Sequence, residues 1–408
     1  MHVSRRASGA TVSSATGDEV VTIDRVDRVA DAVHTGRRAL HIARQSVHAG
    51  TGLNIAARRT QLAGGCGAVF RRSRLHSPRL QRPSAFHLSL LLAGALAASC
   101  GGSSPDAGPP PQPRPTGQPA DFPSDNDRTV EDLASMTQGK GPVLEPSVSI
   151  LHTRVNRYGF GLFDVARKQI TGAQVAIYTA RQDGRGVRGP YVARSESLTV
   201  KPQFASETTA KDPAAAKSVY VADVPFRHTG KQAVIAIAKL DGRLLITNGF
   251  SVNVTPPGGS EPPDVGDPAV RVHTLTLADV AGDAAQIDTR RPVAKDLLHE
   301  DLDDVLGKRP VVITFATPQL CQSRVCGPTV DIVEQVKSSA PKTIAFIHQE
   351  IYNNNQVNKG LRPQLAAWRL RTEPWTFVID HHGAISTRFE GGFSVGELQR
   401  AIANVSGA

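Results

Sequence analysis

The apolar residues of this 408-residue chain change their period near residue 256, and that change limits the fold more than any other feature. From about 140 to 256 they alternate: Tyr158, Phe160 and Leu162 share one face of "RYGFGLFD", and Val175 and Ile177 share one face of "AQVAIYTA". A period of two marks a strand with one buried face. "KSVYVADV", "QAVIAIAKL" and "RLLITNGFSVNV" follow at short intervals, and the Asp-Gly of "LDGR" at 240–243 suits a hairpin turn because both residues accept positive φ. Six or seven short strands with this spacing predict an antiparallel β-sandwich. Beyond residue 265 the pattern differs. "RPVVITFAT", "KTIAFIHQ" and "WTFVID" are unbroken apolar runs, as strands covered on both faces require. Between them lie helical patterns: Val330, Val333 and Val336 in "GPTVDIVEQVKSS", with Pro328 in the first turn, then Leu365 and Trp368 in "RPQLAAWRL". "HHG" reads as the turn of a hairpin, and Ser394 with Glu397 forms a capping box for a last helix. The predicted order is β-α-β-α-β-β-α.

Two stretches rich in Gly, Pro and Ser cannot bury enough apolar area to fold and so punctuate the chain. One follows Cys100, "GGSSPDAGPPPQPRPTGQPADFPSDNDR", and predicts an extended tether; the other, "TPPGGSEPPDVGD" at 255–267, divides the two periodic regions. The expected organisation is multidomain. Residues 1–68 lie outside the native product or are disordered, 69–99 form a signal, 100–139 the tether, 140–256 the sandwich, 257–264 a linker, and 265–408 an α/β domain.

The net charge of +10 suggests a nucleic-acid partner until it is located. Residues 1–99 hold 14 of the 47 Lys and Arg but 5 of the 37 Asp and Glu, a net of +9, which leaves +1 for everything from Cys100 onward. The basicity belongs to the leader, and a nucleic-acid partner is not expected. "RRSRLHSPRLQRPSAFHLSLLLAGALAASC" has the basic start, apolar middle and small-residue end of an export signal. Its apolar part, Leu88 to Ala98, is short for a bilayer span. "LAASC" resembles a bacterial lipobox, which implies lipidation of Cys100 and retention at the extracytoplasmic face of the cell membrane; cleavage at a small-x-small site, Ala95 to Ala97, would instead give a secreted protein. Export signals sit at an N-terminus, so translation is expected to begin near Val69, which leaves Cys66 without a role.

Cys321 and Cys326 lie between a strand run and a helix pattern. Five positions along a regular helix correspond to about 7.5 Å of rise, too far for a disulfide, so at least one cysteine must lie in the loop before the helix. Arg324, between them, is a candidate to favour a thiolate.

These cysteines, together with "EPWTFVIDHHGAISTRFEGGFSVGELQRAI", make the C-terminal third resemble the thioredoxin-like superfamily, particularly its bacterial extracytoplasmic members. The resemblance implies a thioredoxin-like domain in which Cys321 attacks and Cys326 resolves, with exported proteins bearing thiols or disulfides as partners and no cofactor. It also implies that Pro374 is the cis proline facing the dithiol, preceded by Glu373, so these two would contact the substrate. The chain departs from the superfamily in having four residues between the cysteines rather than two, and Leu320 where Trp is usual. The sandwich resembles, in pattern only, the Ig-like modules of bacterial surface proteins. Three other readings stay open. The pair could be a structural disulfide in a domain that only binds. It could serve a peroxidase, for which Ser323 is well placed and Pro318 is one position too far upstream. It could join His348, or His381 and His382, in a copper site. Asp288, Arg290, Glu350 and Asp380 are further candidates to line a site.

Overall fold

The computed structural model describes residues 110–258 and 261–406. The expectations for the leader, for Cys66 and for lipidation at Cys100 fall outside them. The described chain is mostly β-sheet with few helices. None of its described helices is long and apolar enough to cross a membrane.

A helix, α1 (Val130–Ser135), precedes ten strands, with a second helix, α2 (Glu207–Lys211), between the sixth and seventh. The strands are β1 (Val143–Pro146), β2 (Leu151–His152), β3 (Val155–Phe163), β4 (Gln174–Arg181), β5 (Arg188–Val192), β6 (Arg194–Ser197), β7 (Ser218–Pro225), β8 (Gly230–Leu240), β9 (Arg243–Ile246) and β10 (Phe250–Thr255). They form one sheet in the order β1-β3-β7-β6 and another in the order β2-β10-β8-β4-β5, with β9 also on β8. Every pairing is antiparallel except β2 with β10. Tyr158, Phe160 and Leu162 meet Val175, Ile177, Val234 and Ala236 in a core between the sheets, as the alternation predicts. The Asp-Gly hairpin forms between β8 and β9, with φ of 49° at Asp241 and 76° at Gly242.

The tether is a correction. Residues 110–139 do not hang free: Phe122 and Leu133 are buried against Ala176, Tyr178, Ile235 and Ile237 on the outer side of the second sheet. The Tyr178 hydroxyl donates to Pro123 O at 2.6 Å, and Thr116 N donates to Ala193 O. Proline content sets a locally extended backbone, but two well-placed apolar side chains decide that it lies down on a sheet. The expected linker behaves alike at its end, where Asp264 accepts from Arg154 and pairs with Arg388 at 3.2 Å. Burial pushes the Asp264 carboxyl up, and the two guanidiniums outweigh it to hold the group below its usual range.

The C-terminal half contains α3 (Leu302–Val305), β11 (Val311–Phe315), α4 (Cys326–Lys337), β12 (Ala345–Gln349), α5 (Pro363–Ala367), β13 (Trp375–Ile379), β14 (Ile385–Glu390) and α6 (Val395–Ser406). From β11 onward the order of elements is the one expected. The sheet runs β12-β11-β13-β14, parallel between β11 and β12 and antiparallel elsewhere. Both faces are covered: Val312, Phe346 and Val378 pack with α4 and α6, while Ile313, Phe315 and Phe377 pack with Leu302, Leu365 and Trp368. The unbroken apolar strands follow from this double burial.

The halves share a core. Leu198, Val219 and Val221, from the outer side of the first sheet and its β6–β7 connection, join Cys326, Val330 and Phe393 in one cluster. Close approach there depends on glycine: a Cβ on Gly391, whose φ is 78°, would lie 2.7 Å from Ser147 O. The capping box forms, with Ser394 Oγ accepting from Glu397 N at 3.1 Å. The Glu397 carboxylate also accepts from Arg157 Nε and Nη2, both at 2.8 Å. Arg194 Nη2 lies 3.5 Å from Glu397 and its Nε donates to Glu196, which also accepts from Ser394 Oγ.

Candidate functional site around Cys321 and Cys326

Strand β11 ends at Phe315, and the chain turns at once: Leu320 N and Cys321 N both donate to Thr317 O. Arg324 takes a positive φ of 60°, Val325 caps the helix, and Cys326 is the first residue of α4. Cys321 therefore lies in the loop, as the rise along a helix demands. The two sulfurs are within bonding distance, with Cα atoms 6.0 Å apart. Their surroundings differ. Cys326 is fully buried among Val330, Phe393 and Leu198, whereas Cys321 is partly exposed and its Sγ lies 3.2 Å from Ser323 Oγ.

The helix start that favours a thiolate belongs by position to Cys326, since Cys321 lies five residues upstream. Arg324, between the cysteines, has its Nη1 3.7 Å from Asp212 Oδ1 in the β6–β7 connection. The hydroxyl of Ser323 is the polar group the structure sets beside Cys321, and it can donate to a thiolate there.

The Glu373–Pro374 bond is cis, Pro374 is buried, and its carbonyl accepts from Gly391 N at 2.9 Å. Glu373 is half-buried and, among the described residues, its carboxylate has no hydrogen bond or ion pair. Burial pushes its pKa up, and the charge of Glu350 adds to the rise.

Behind the cysteine loop, Asp288, His348 and Glu350 are buried with ligand-type atoms within 4.8 Å of one another. The set contains neither sulfur, so His348 does not complete a site with Cys321 and Cys326. His348 Nε2 meets Ala316 O at 3.0 Å, and Nδ1 lies 3.7 Å from Asp288 Oδ1. The carboxylates already work for the backbone: Asp288 accepts from Arg290 N and Ala294 N, and Glu350 from Thr289 N and Oγ1. Thr289 Oγ1 in turn accepts from Gln319 N in the cysteine loop. This set of side chains reads as a polar lock that fixes the loop. Burial raises the Glu350 pKa; the His348 charge and the Thr289 hydrogen bonds oppose that rise without cancelling it.

No protein-family model matches the chain, and no curated protein is similar to it.

The remaining candidates disperse. Arg290 is buried and donates to Asp331 Oδ1 of α4 at 2.8 Å and to Phe204 O, which ties α4 to the β6–β7 connection. Asp380 accepts from His382 N and Ala384 N in the hairpin turn, where the rings of His381 and His382 lie 3.7 Å apart. Asp331 and Ser206 were missed by sequence reasoning. Asp331 is fully buried on α4 and accepts from Ser206 N and Oγ, and the only hint was an acid among the valines of that helix.

A cleft of about 400 Å3 opens between the first sheet and the C-terminal half. Ser323 and Val325 of the cysteine loop form part of its wall, together with Glu373, Glu390 and Gly391 of the C-terminal half and Glu145, Phe163 and Ser218 of the first sheet.

Proposed function

We propose that this protein is an exported thiol-disulfide oxidoreductase, with a thioredoxin-like C-terminal domain carried beside an Ig-like sandwich and held at the membrane by lipid on Cys100. One observation carries the catalytic part: a partly exposed Cys321 lies within bonding distance of a fully buried Cys326 where β11 gives way to α4. The order of elements from β11 to α6 supports the same reading. Export and lipidation rest on the sequence preceding residue 110.

In the reductive direction the Cys321 thiolate attacks a partner disulfide, forms a mixed disulfide and releases one partner thiolate. Cys326, as thiolate, then attacks Cys321 Sγ and releases the second, so the chain is oxidised by two electrons and the partner reduced. The reverse sequence oxidises a partner dithiol. An accessible first thiol and a buried second fit these roles, because only the first must reach another molecule. The Ser323 hydroxyl steadies the attacking thiolate, and the start of α4 favours the resolving one. Exported proteins bearing thiols or disulfides are the proposed partners.

A structural disulfide is the second reading, favoured by Leu198 and Val219 packing against the cysteine loop and α4. Cys326→Ser should trap mixed disulfides with partners, and Cys321→Ser should abolish both trapping and turnover. Full exchange by Cys321→Ser would refute the roles. A reduction potential below about −300 mV with no turnover would establish the structural reading instead.

A further inference from the structure

The cleft beside Ser323 contains more polar groups than the protein itself uses. Glu145 of the first sheet and Glu373 of the C-terminal half both line it, and neither carboxylate has a hydrogen bond or an ion pair within 4 Å among the described residues. Glu390, also in the lining, is by contrast engaged with Ser149, Ile150 N and Thr372. Ser218 also lines the cleft; it is only 8% exposed, and its hydroxyl has no partner. The Ser147 hydroxyl is buried and unpartnered in the same lining. Val148, Phe163, Val219 and Val325 supply apolar wall.

A buried polar group without a partner is costly, so the Ser147 and Ser218 hydroxyls collected in one cleft point to a ligand that pairs them. Two acids demand positive charge. The apolar wall demands an aliphatic stem, and the hydroxyls can accept from an ammonium or a guanidinium. The volume lies within the range of ligand sites but is modest, enough for one long side chain and its neighbours. Ser323 joins the two regions, since it lines the cleft and its Oγ lies 3.2 Å from Cys321 Sγ.

We infer that this cleft receives a Lys or Arg side chain of a polypeptide partner, from a residue close in sequence to the cysteine that Cys321 attacks. The inference rests on the exchange reading for its cysteine, but the cleft itself is testable without it. Arg167 is within electrostatic reach of Glu145 and lowers its demand for a cation, while burial raises the Glu145 pKa. Glu373, which has Glu350 rather than a cation nearby, is the stronger anchor.

The test uses the full chain and two cysteine-free decapeptides, one with a central Lys-Arg pair and one with Glu-Glu, titrated at low salt. The basic peptide should bind about tenfold more tightly than the acidic one, in the range for a partly desolvated charge pair. Glu145→Gln combined with Glu373→Gln should remove that preference, and adding salt should weaken it. Equal binding of both peptides, or a preference that survives the double substitution, overturns the inference. Should the double variant not fold, Glu145→Lys, at an exposed strand position, must reverse or abolish the preference. A second measurement follows reduction of a small neutral disulfide by the dithiol. If that fails while the basic peptide still binds, the exchange reading falls and the cleft stands; if it succeeds while peptide preference is absent, the reverse holds.

Discussion

Two regions where the halves of the molecule meet both contain buried carboxylates, and they treat them in opposite ways. At the seam over α6, Glu397 is gripped by Arg157 at two points and approached by Arg194. Burial pushes its pKa up, yet the two guanidiniums and the Ser394 N–H outweigh it and hold the group below the usual carboxylate range. In the cleft, the half-buried Glu373 has no cation among the described residues, and burial together with Glu350 moves it the other way. A buried acid with its partners in place is part of what joins two surfaces. One whose partners are missing is held ready for a group the chain does not supply.

Breaking the seam should have the largest effect. Arg157→Ala leaves Glu397 buried beside a weakened set of cations and also removes a guanidinium stacked 5.4 Å above the Phe389 ring. A loss of about 3–5 kcal/mol is expected in urea unfolding, as for other buried pairs deprived of one member. Leu198→Ala attacks the apolar part of the same seam. Leu198 is 1% exposed, and a Cβ on Gly392 would lie within 3.2 Å of it. The cavity should cost about 2–5 kcal/mol, and reduction of Cys321–Cys326 by dithiothreitol should become faster because Val325 and its loop lose their cover.

The acids themselves sharpen the contrast, because their pH dependences have opposite signs. Glu397 has a depressed folded pKa, so its stabilisation is complete above the ordinary 4.5 and fades as pH falls through the lower folded value. Glu397→Gln should therefore cost about 1–3 kcal/mol at pH 7, with the loss shrinking in melts below pH 4.5. Glu373 has a raised folded pKa, so the folded state binds its proton more tightly than the unfolded chain. Stability then declines as pH rises from 4.5 toward the raised value. Glu373→Gln should gain stability at pH 7, by less than about 1 kcal/mol for a half-exposed group, and nothing at pH 4. A destabilised Glu373→Gln at neutral pH would show that this acid has a partner after all.

Much of this arrangement was readable from residue order, and the part that was not has a common cause. The Tyr158, Phe160 and Leu162 face, the Asp241–Gly242 turn, the strands Val311–Phe315 and Trp375–Ile379 and the Ser394–Glu397 capping box are all local patterns, settled by periodicity or by groups three residues apart. The position of Cys321 in a loop also followed from helix geometry. The packed segment 110–139 did not, because its composition promised a tether and only Phe122 and Leu133 betray a surface to lie on. The pairing of Arg324 with Asp212 was not readable either, because the two are more than a hundred residues apart in sequence. Asp288, Arg290 and Glu350 were noted as candidates, but their division into a loop lock and an α4 anchor depends on partners from distant segments.

The sequence by itself determined where strands and helices form, which strand faces are apolar and that a Cys-x4-Cys pair lies at a strand-to-helix junction, since these depend on neighbours along the chain. Tertiary structure alone decided which cysteine is reachable, which buried acids have cations and which do not. Those outcomes arise where the outer side of one sheet meets α4, α6 and the Glu373–Pro374 turn, and electrostatic pairing there is set by distance in space, for which order along the chain carries no periodic signal.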